Sequence, residues 1–369
     1  MKFSISQNRL ANGISIVQKA ISSKSTKEIL EGILISVEDQ KIKLTGTDSE
    51  IIRIETYLDA NIYEEGSVII DSRIFGDIIR KLPQDDILIE VNEKFNVNIK
   101  CGISEFNIRG NAEEGYPMLL TDGKKESFTI PSDLLKDSIK LTSFAVSQDY
   151  NRKNLTGIFL EKSDDFLSFV ALDGYRLAVK KIPMKNDLIF ESIIPGKSMN
   201  ELYKILPEDI EETTIELESN NISFITGKTS LYSQLIDGKY FSYRDILRDS
   251  HDLEIEVDKR LFQDGVERAS LLARGDKANL IKFEIEGDVL TISSNSEMGD
   301  VTEEVPIKNS GGSLKIAFNS KYILEGIKNM DDTELKLGFK DSVKPLIITP
   351  VDNDLYTYLV LPVRLAAGE

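Results

Sequence analysis

A base, an acid and a second base recur at fixed places in this chain, and they are the groups whose spacing could do chemistry. Arg73, Asp77 and Arg80 come first. Lys197, Glu201 and Lys204 follow 124 residues later, and Lys321, Glu325 and Lys328 after another 124. Such a set can attract phosphate, or it can be a solvated face stitched by i,i+3 and i,i+4 ion pairs. Three copies at equal spacing make it part of an architecture.

Other chemistry is excluded residue by residue. The sole histidine, His251, lies in a linker-like run at 248–252, so no Ser-His or Cys-His system and no multi-histidine metal site is available. Gly196-Lys197-Ser198 and Gly227-Lys228-Thr229 imitate phosphate loops. A P-loop needs another glycine five positions before its second glycine, where this chain has Glu191 and Ile222. The acidic pairs Asp85 and Asp86, Asp164 and Asp165, and Asp331 and Asp332 sit beside strand-like segments and read as hairpin turns. Arg274-Gly275-Asp276 resembles an adhesion motif, for which an intracellular chain has no use. Cys101 stands alone, which rules out an internal disulfide, fits a reducing cytoplasm and reads as a small buried hydrophobe. The expectation is a protein without catalysis, metal or cofactor.

The elements that carry the bases are amphipathic helices at 71–82, 195–206 and 319–330. Apolar residues repeat at Phe75, Met199 and Ile323, at Ile79, Tyr203 and Ile327, and at Leu82, Leu206 and Met330. At about 100° per residue, positions 75, 78, 79 and 82 share one face and 73, 77 and 80 the opposite one. A second set of repeats precedes these helices. Phe3 and Ile5 alternate before Leu10, Ile14, Val17 and Ile21. Phe128 and Ile130 precede Leu135 and Ile139, and Ile255 and Val257 precede Phe262, Val266 and Ala269. Alternating segments recur at 33–37, 158–160 and 283–285.

Each third therefore reads strand, helix, three strands, strand, helix, three strands: two β-α-β-β-β halves per third. A period this long signals tandem domains rather than a solenoid. Domains are expected at 1–125, 126–250 and 251–369, with boundaries in the turn-rich or charged stretches 121–125 and 248–252. Strands adjacent in sequence favour antiparallel hairpins, so the class is α+β.

Composition agrees with a globular chain: 41% hydrophobic, 29% charged, with no bilayer-length apolar run. The net charge of −17 opposes DNA contact over most of the surface and leaves the repeated helix faces as the place for a local basic one.

At 44–48 (LTGTD), 173–178 (DGYRLA) and 358–365 (YLVLPVRL) the sequence resembles the bacterial DNA polymerase III beta subunit family, the sliding clamps. The likeness runs from Met1 to Leu365 in near-constant register. It implies a head-to-tail homodimeric ring of six similar domains, antiparallel sheets outside and helices inside. By this resemblance the ring encircles duplex DNA without regard to sequence after a clamp-loader complex opens it. It then tethers the DNA polymerase III alpha subunit and other proteins bearing a clamp-binding motif, in the cytoplasm and without a membrane. The resemblance also implies a peptide pocket at Leu155, Leu172, Gly174, Tyr175, Arg176, Leu177, Phe241, Ile246, Val343, Pro345, Val360, Leu361, Pro362, Val363 and Arg364. It adds Lys24 and Arg152 to the six stripe bases Arg73, Arg80, Lys197, Lys204, Lys321 and Lys328 as DNA-facing, and puts Phe106, Ile108, Leu271 and Leu272 at the dimer interface. Leu172 and Phe241 depart from the family's usual residues and make the pocket bulkier and more apolar. Lys153 and Asn154 stand where some relatives carry aromatic residues, and 366–369 runs past the usual end. The second function class is a multidomain scaffold that binds proteins without threading DNA.

Overall fold

The computed structural model describes residues 1–22, 28–117, 125–163, 165–208, 210–247, 251–273 and 279–364. Lys24, Asp164, the 274–276 triplet, the 366–369 tail and most of both boundary stretches lie outside the described residues. Each third follows the order read from the sequence, the first with one extra short strand, Asn61–Glu64. The helices are α1 (Gln7–Val17), α2 (Ser72–Lys81), α3 (Ser132–Thr142), α4 (Gly196–Ile205), the single turn α5 (Arg244–Leu247), α6 (Lys259–Ala273) and α7 (Ser320–Ile327).

Asp71 caps α2 by accepting from the Ile74 N–H at 2.7 Å, and Asn319 caps α7 by accepting from Lys321 N–H at 2.9 Å. Arg80 and Lys81 in the last turn of α2 complement its dipole. Phe75, Ile79, Met199, Ile323 and Ile327 are fully buried, and Leu82, Leu206 and Met330 nearly so. Tyr203 is only half-buried; Leu202 takes the deep position, and the Tyr203 ring lies 5.8 Å below the Lys136 ammonium. The phenol takes the shallower position because it keeps its hydroxyl in water more cheaply than a leucine keeps its methyls there.

By packing, the chain divides into two compact units, Met1–Lys136 with Lys197–Leu235, and Asp137–Gly196 with Ile236–Glu369. The first holds a five-stranded and an eight-stranded sheet, and the second a twelve-stranded sheet. The central repeat contributes strands to both, because sheets continue across the ends of the repeats. In the first unit, Thr229–Gln234 of the central repeat pairs with Ile52–Leu58 of the first. In the second, Tyr356–Val360 of the last repeat pairs with Arg176–Pro183 of the central one.

These two junctions have the same register. Hydrogen-bonded rows Phe3–Ile89–Ile99–Phe106, Phe128–Ile215–Phe224–Leu231 and Ile255–Leu337–Ile348–Tyr358 end on equivalent residues. The rows Val37–Ile42–Leu58, Lys162–Leu167–Ile182 and Ile285–Leu290–Val305 are likewise equivalent. Four residues before their last members stand Ile54, Ala178 and Val301. Leu231 lies opposite Ile54, and Tyr358 opposite Ala178. The third pair, Phe106 and Val301, is not made within the described chain. Ser104–Arg109 pairs only with Asn96–Cys101, and the 299–306 stretch pairs only with Val289–Ser296.

Candidate peptide cleft and basic helix faces

A cleft of about 720 Å³ opens in the second unit, above the junction between Arg176–Pro183 and Tyr356–Val360. Its floor is an apolar cluster that includes Leu155, Phe159, Val170, Leu172, Leu177, Val179 and Leu359. Two linker aromatics belong to this cluster. Tyr240 stacks on Phe159 with ring centroids 4.6 Å apart, and its hydroxyl donates to the Val170 carbonyl at 3.4 Å. Tyr243 donates to Glu161 at 2.8 Å; burial first, and then that hydrogen bond, push the phenol up to about 12.

The turn at 173–175 contributes Gly174 and Tyr175 to the rim. Asp173 accepts from the Tyr175 and Arg176 N–H groups at 2.9 and 3.1 Å, and Gly174 takes φ +97°. A side chain there would be strained, and its Cβ would stand 2.9 Å from an Arg152 nitrogen. Arg176 runs beneath the rim with 8% of its side chain exposed. It donates to Asp173 at 3.0 Å, to the Phe144 carbonyl at 2.8 Å and to Glu325, and lies 4.8 Å from the Tyr322 ring centroid. Burial opposes its charge, but Tyr358, Glu325 and Asp173 outweigh that and raise its pKa.

Of the pocket residues expected from the sequence, Leu155, Leu172, Gly174, Tyr175, Arg176, Leu177, Phe241, Ile246 and Leu361 line this cleft together. Pro345 lines a small neighbouring cavity that shares Ile246 and Leu359 with it. Val360 is fully buried on the other face of its strand, and Val343 is exposed. Pro362, Val363 and Arg364 follow the strand without lining the cleft; the Val363 N–H bonds the Ala317 carbonyl. Arg152, expected to face DNA, lines the cleft and is paired with Asp149 at 3.3 Å. The sequence reading missed Asn154, Lys239, Tyr240, Ser242 and Leu359. A signal existed for two of them. Leu359 shares a strand face with Leu361 by the period of two, and Tyr240 belongs to a run of three aromatics in four residues. The cleft can hold a short peptide with apolar anchors, and Arg152 and Lys239 at its rim favour an acidic neighbour.

The stripe helices carry bases that are mostly neutralised. Arg80 pairs with Asp77 at 2.8 Å and Lys204 with Glu201 at 2.8 Å, as i,i+3 spacing suggests. Lys197 reaches Asp48 at 2.6 Å; against the cost of burial, that hydrogen bond and the Ile52 and Ile51 N–H groups lower the Asp48 pKa. Lys328 pairs with Glu267 at 2.9 Å and Lys321 with Glu325 at 3.8 Å. Arg73 is exposed and has no ion pair among the described residues.

The four residues expected at a dimer contact are at the surface. Phe106 is 39% and Leu271 61% exposed, and Ile108 and Leu272 are half-buried. Phe106 and Ile108 lie on the open edge strand Ser104–Arg109. Leu271 and Leu272 end α6, which packs on the strand Gly299–Asn309 and is bound to it by Arg268–Glu303 hydrogen bonds of 2.9 and 2.7 Å. Two hairpin tips add exposed apolar groups, Ile103 and Met298.

Comparison with known proteins gives one answer throughout. Residues 1–120, 129–241 and 244–364 match the N-terminal, central and C-terminal domains of the DNA polymerase III beta subunit. The chain is 37% identical to the beta sliding clamp of Staphylococcus aureus over 376 aligned positions, covering 99% of each chain. The DNA polymerase sliding clamp of Bacillus subtilis superposes with a TM-score of 0.95 at 34% identity, covering 99% of this chain and all of that one. A putative beta subunit from Eubacterium rectale gives 0.93 at 33% identity with the same coverage.

Proposed function

This chain belongs to the DNA polymerase III beta subunit family of sliding clamps, and on that premise we propose how it works. Two copies close head to tail into a ring around duplex DNA, and the cleft on each copy holds a peptide of the replicative polymerase. The observation that carries the ring is the unmade third junction. The chain makes one sheet-to-sheet join twice in one register and leaves its two remaining edges open. A second copy supplies the missing edge, with Phe106 opposite Val301 of the partner subunit. The contact is heterologous and made twice, so it closes with no free edge at either seam. It also removes Ile103, Phe106, Leu271 and Met298 from water, where a monomer would leave them.

No reacting group is required of such a protein. The ring holds the polymerase near the primer end, so a weak peptide contact acts at the effective concentration of a linked partner. The DNA polymerase III alpha subunit, the clamp-loader complex and other proteins with a clamp-binding motif are the partners this reading gives the cleft, in the cytoplasm. The net charge of −17 repels DNA from the outer surface and leaves contact to the helix faces. Their paired bases suit sliding, because a phosphate must compete with a resident carboxylate.

That picture ranks the bases. Arg73, free of a carboxylate partner among the described residues, is expected to contribute most to duplex binding, and Lys204, held by Glu201, less. Duplex affinity of each single alanine variant, measured against salt, checks this. Arg73→Ala should reduce the slope of log K against log salt by about one unit for each phosphate that the arginine neutralises, whatever the DNA sequence. Lys204→Ala should change it less. An unchanged slope in both variants would make the stripes solvated faces with no part in binding DNA.

A further inference from the structure

Glu325 belongs to neither the cleft lining nor the set of bases, yet it touches both. One oxygen accepts from the buried Arg176 guanidinium; the other lies 3.8 Å from the Lys321 ammonium. Arg176 lines the cleft at 8% side-chain exposure, whereas Lys321 has 66% of its side chain in water. The helix that carries Glu325 is held closely to the cleft. Tyr322 of α7 stacks on the cleft residue Tyr175 with centroids 5.7 Å apart. Its carbonyl accepts from the Tyr358 hydroxyl at 2.7 Å. Gly326, next to Glu325, meets the Tyr358 ring so closely that a Cβ would stand 2.0 Å from it. The acid therefore cannot follow Lys321 outward without leaving Arg176.

We propose that Glu325 is a positioning residue that holds Arg176 in the cleft-forming pose and, being shared with Lys321, couples peptide capture to phosphate contact on α7. A buried guanidinium keeps its place only while its carboxylate partners are present, since removing one leaves an uncompensated buried charge. Lys321 competes for the same carboxylate. When a DNA phosphate takes Lys321, Glu325 is left to Arg176 alone, the rim stiffens and peptide binds more tightly. Linkage makes the effect reciprocal, so bound peptide favours phosphate contact. The exposed Lys321–Glu325 pair bounds the gain to about two- to fivefold. The proposal rests on the cleft being the peptide site and on Lys321 meeting DNA.

The test needs no DNA, because Lys321→Ala mimics withdrawal of that competitor. The probe is a fluorescein-labelled short peptide with leucine and phenylalanine anchors and one aspartate, chosen for the apolar floor and cationic rim; its anisotropy is followed as the full-length protein is titrated. Lys321→Ala should bind the probe about two- to fivefold more tightly than the natural chain. Glu325→Gln should bind about tenfold more weakly, because it removes a charge-assisted hydrogen bond. Adding Lys321→Ala to Glu325→Gln should then change nothing further. A merely structural role for Glu325 would not erase the Lys321 effect. Equal affinity of Lys321→Ala and the natural chain would overturn the coupling and leave the cleft intact, as would an undiminished Lys321 effect in the Glu325→Gln background. No binding of the probe to the natural chain would overturn the cleft assignment and the coupling with it.

Discussion

Leu271→Ala combined with Leu272→Ala is expected to yield folded monomers of 41.4 kDa, where the natural chain is expected at about twice that mass. The expectation follows from where these leucines stand. They end α6, outside the buried set Phe262, Val266, Ala269 and Ala273 that holds the helix to its sheet. Their truncation therefore leaves each unit's core alone. A leucine anchor at an interface is worth about 2 kcal/mol on truncation. The proposed ring would have two seams, each with two such leucines, so about 8 kcal/mol should go, or nearly six decades in Kd. Light scattering coupled to size exclusion reads the mass, and circular dichroism checks the fold. A double variant that stays dimeric would place the seam elsewhere.

Leu361→Ala should weaken probe-peptide binding by about 2 kcal/mol, roughly thirtyfold, without changing the mass of the ring. Leu361 is 39% exposed in the cleft, and its N–H bonds the Tyr175 carbonyl, so the rim stays in place when the side chain is cut back. Val360 is the control built into the same strand. It is fully buried and points away from the cleft lining, so Val360→Ala should lower the melting temperature and spare the peptide. If the two variants had the same effect on the peptide, or neither had any, the cleft would not be the capture site.

Much of this architecture is written in local periodicity. Phe75, Ile79 and Leu82 and their two sets of counterparts mark helices because a 3.6-residue period survives where most letters change. The strands Gly32–Glu38, Gly157–Ser163 and Leu280–Glu286 cover the alternating segments at 33–37, 158–160 and 283–285. The joins across repeats were less visible. Nothing near Ile54 announces that its partner is Leu231, because strand pairing at that separation depends on the whole fold. Ion-pair choice was legible only where it is local. Asp77 and Glu201 take the bases three residues on, as spacing suggests. Glu325 does not take Lys328, because a buried guanidinium 149 residues away in sequence needs a carboxylate more than an exposed ammonium does. The cleft was legible through family resemblance at Leu155, Leu172 and 174–177. Lys239 escaped because a linker sequence carries no period to place it on a face.

Topology distinguishes a clamp from every protein that merely sticks to DNA, so retention on circular against linear duplex is the decisive measurement. The natural chain is assembled on a nicked circular duplex with a clamp loader and ATP, then passed through gel filtration at high salt, which strips contacts made by charge alone. A ring that encircles DNA elutes with the circle and slides off once a single restriction cut linearises it. Equal retention on the circle and the cut duplex would show binding by affinity, and absence from both would show a scaffold that never threads DNA. Either result would contradict the ring.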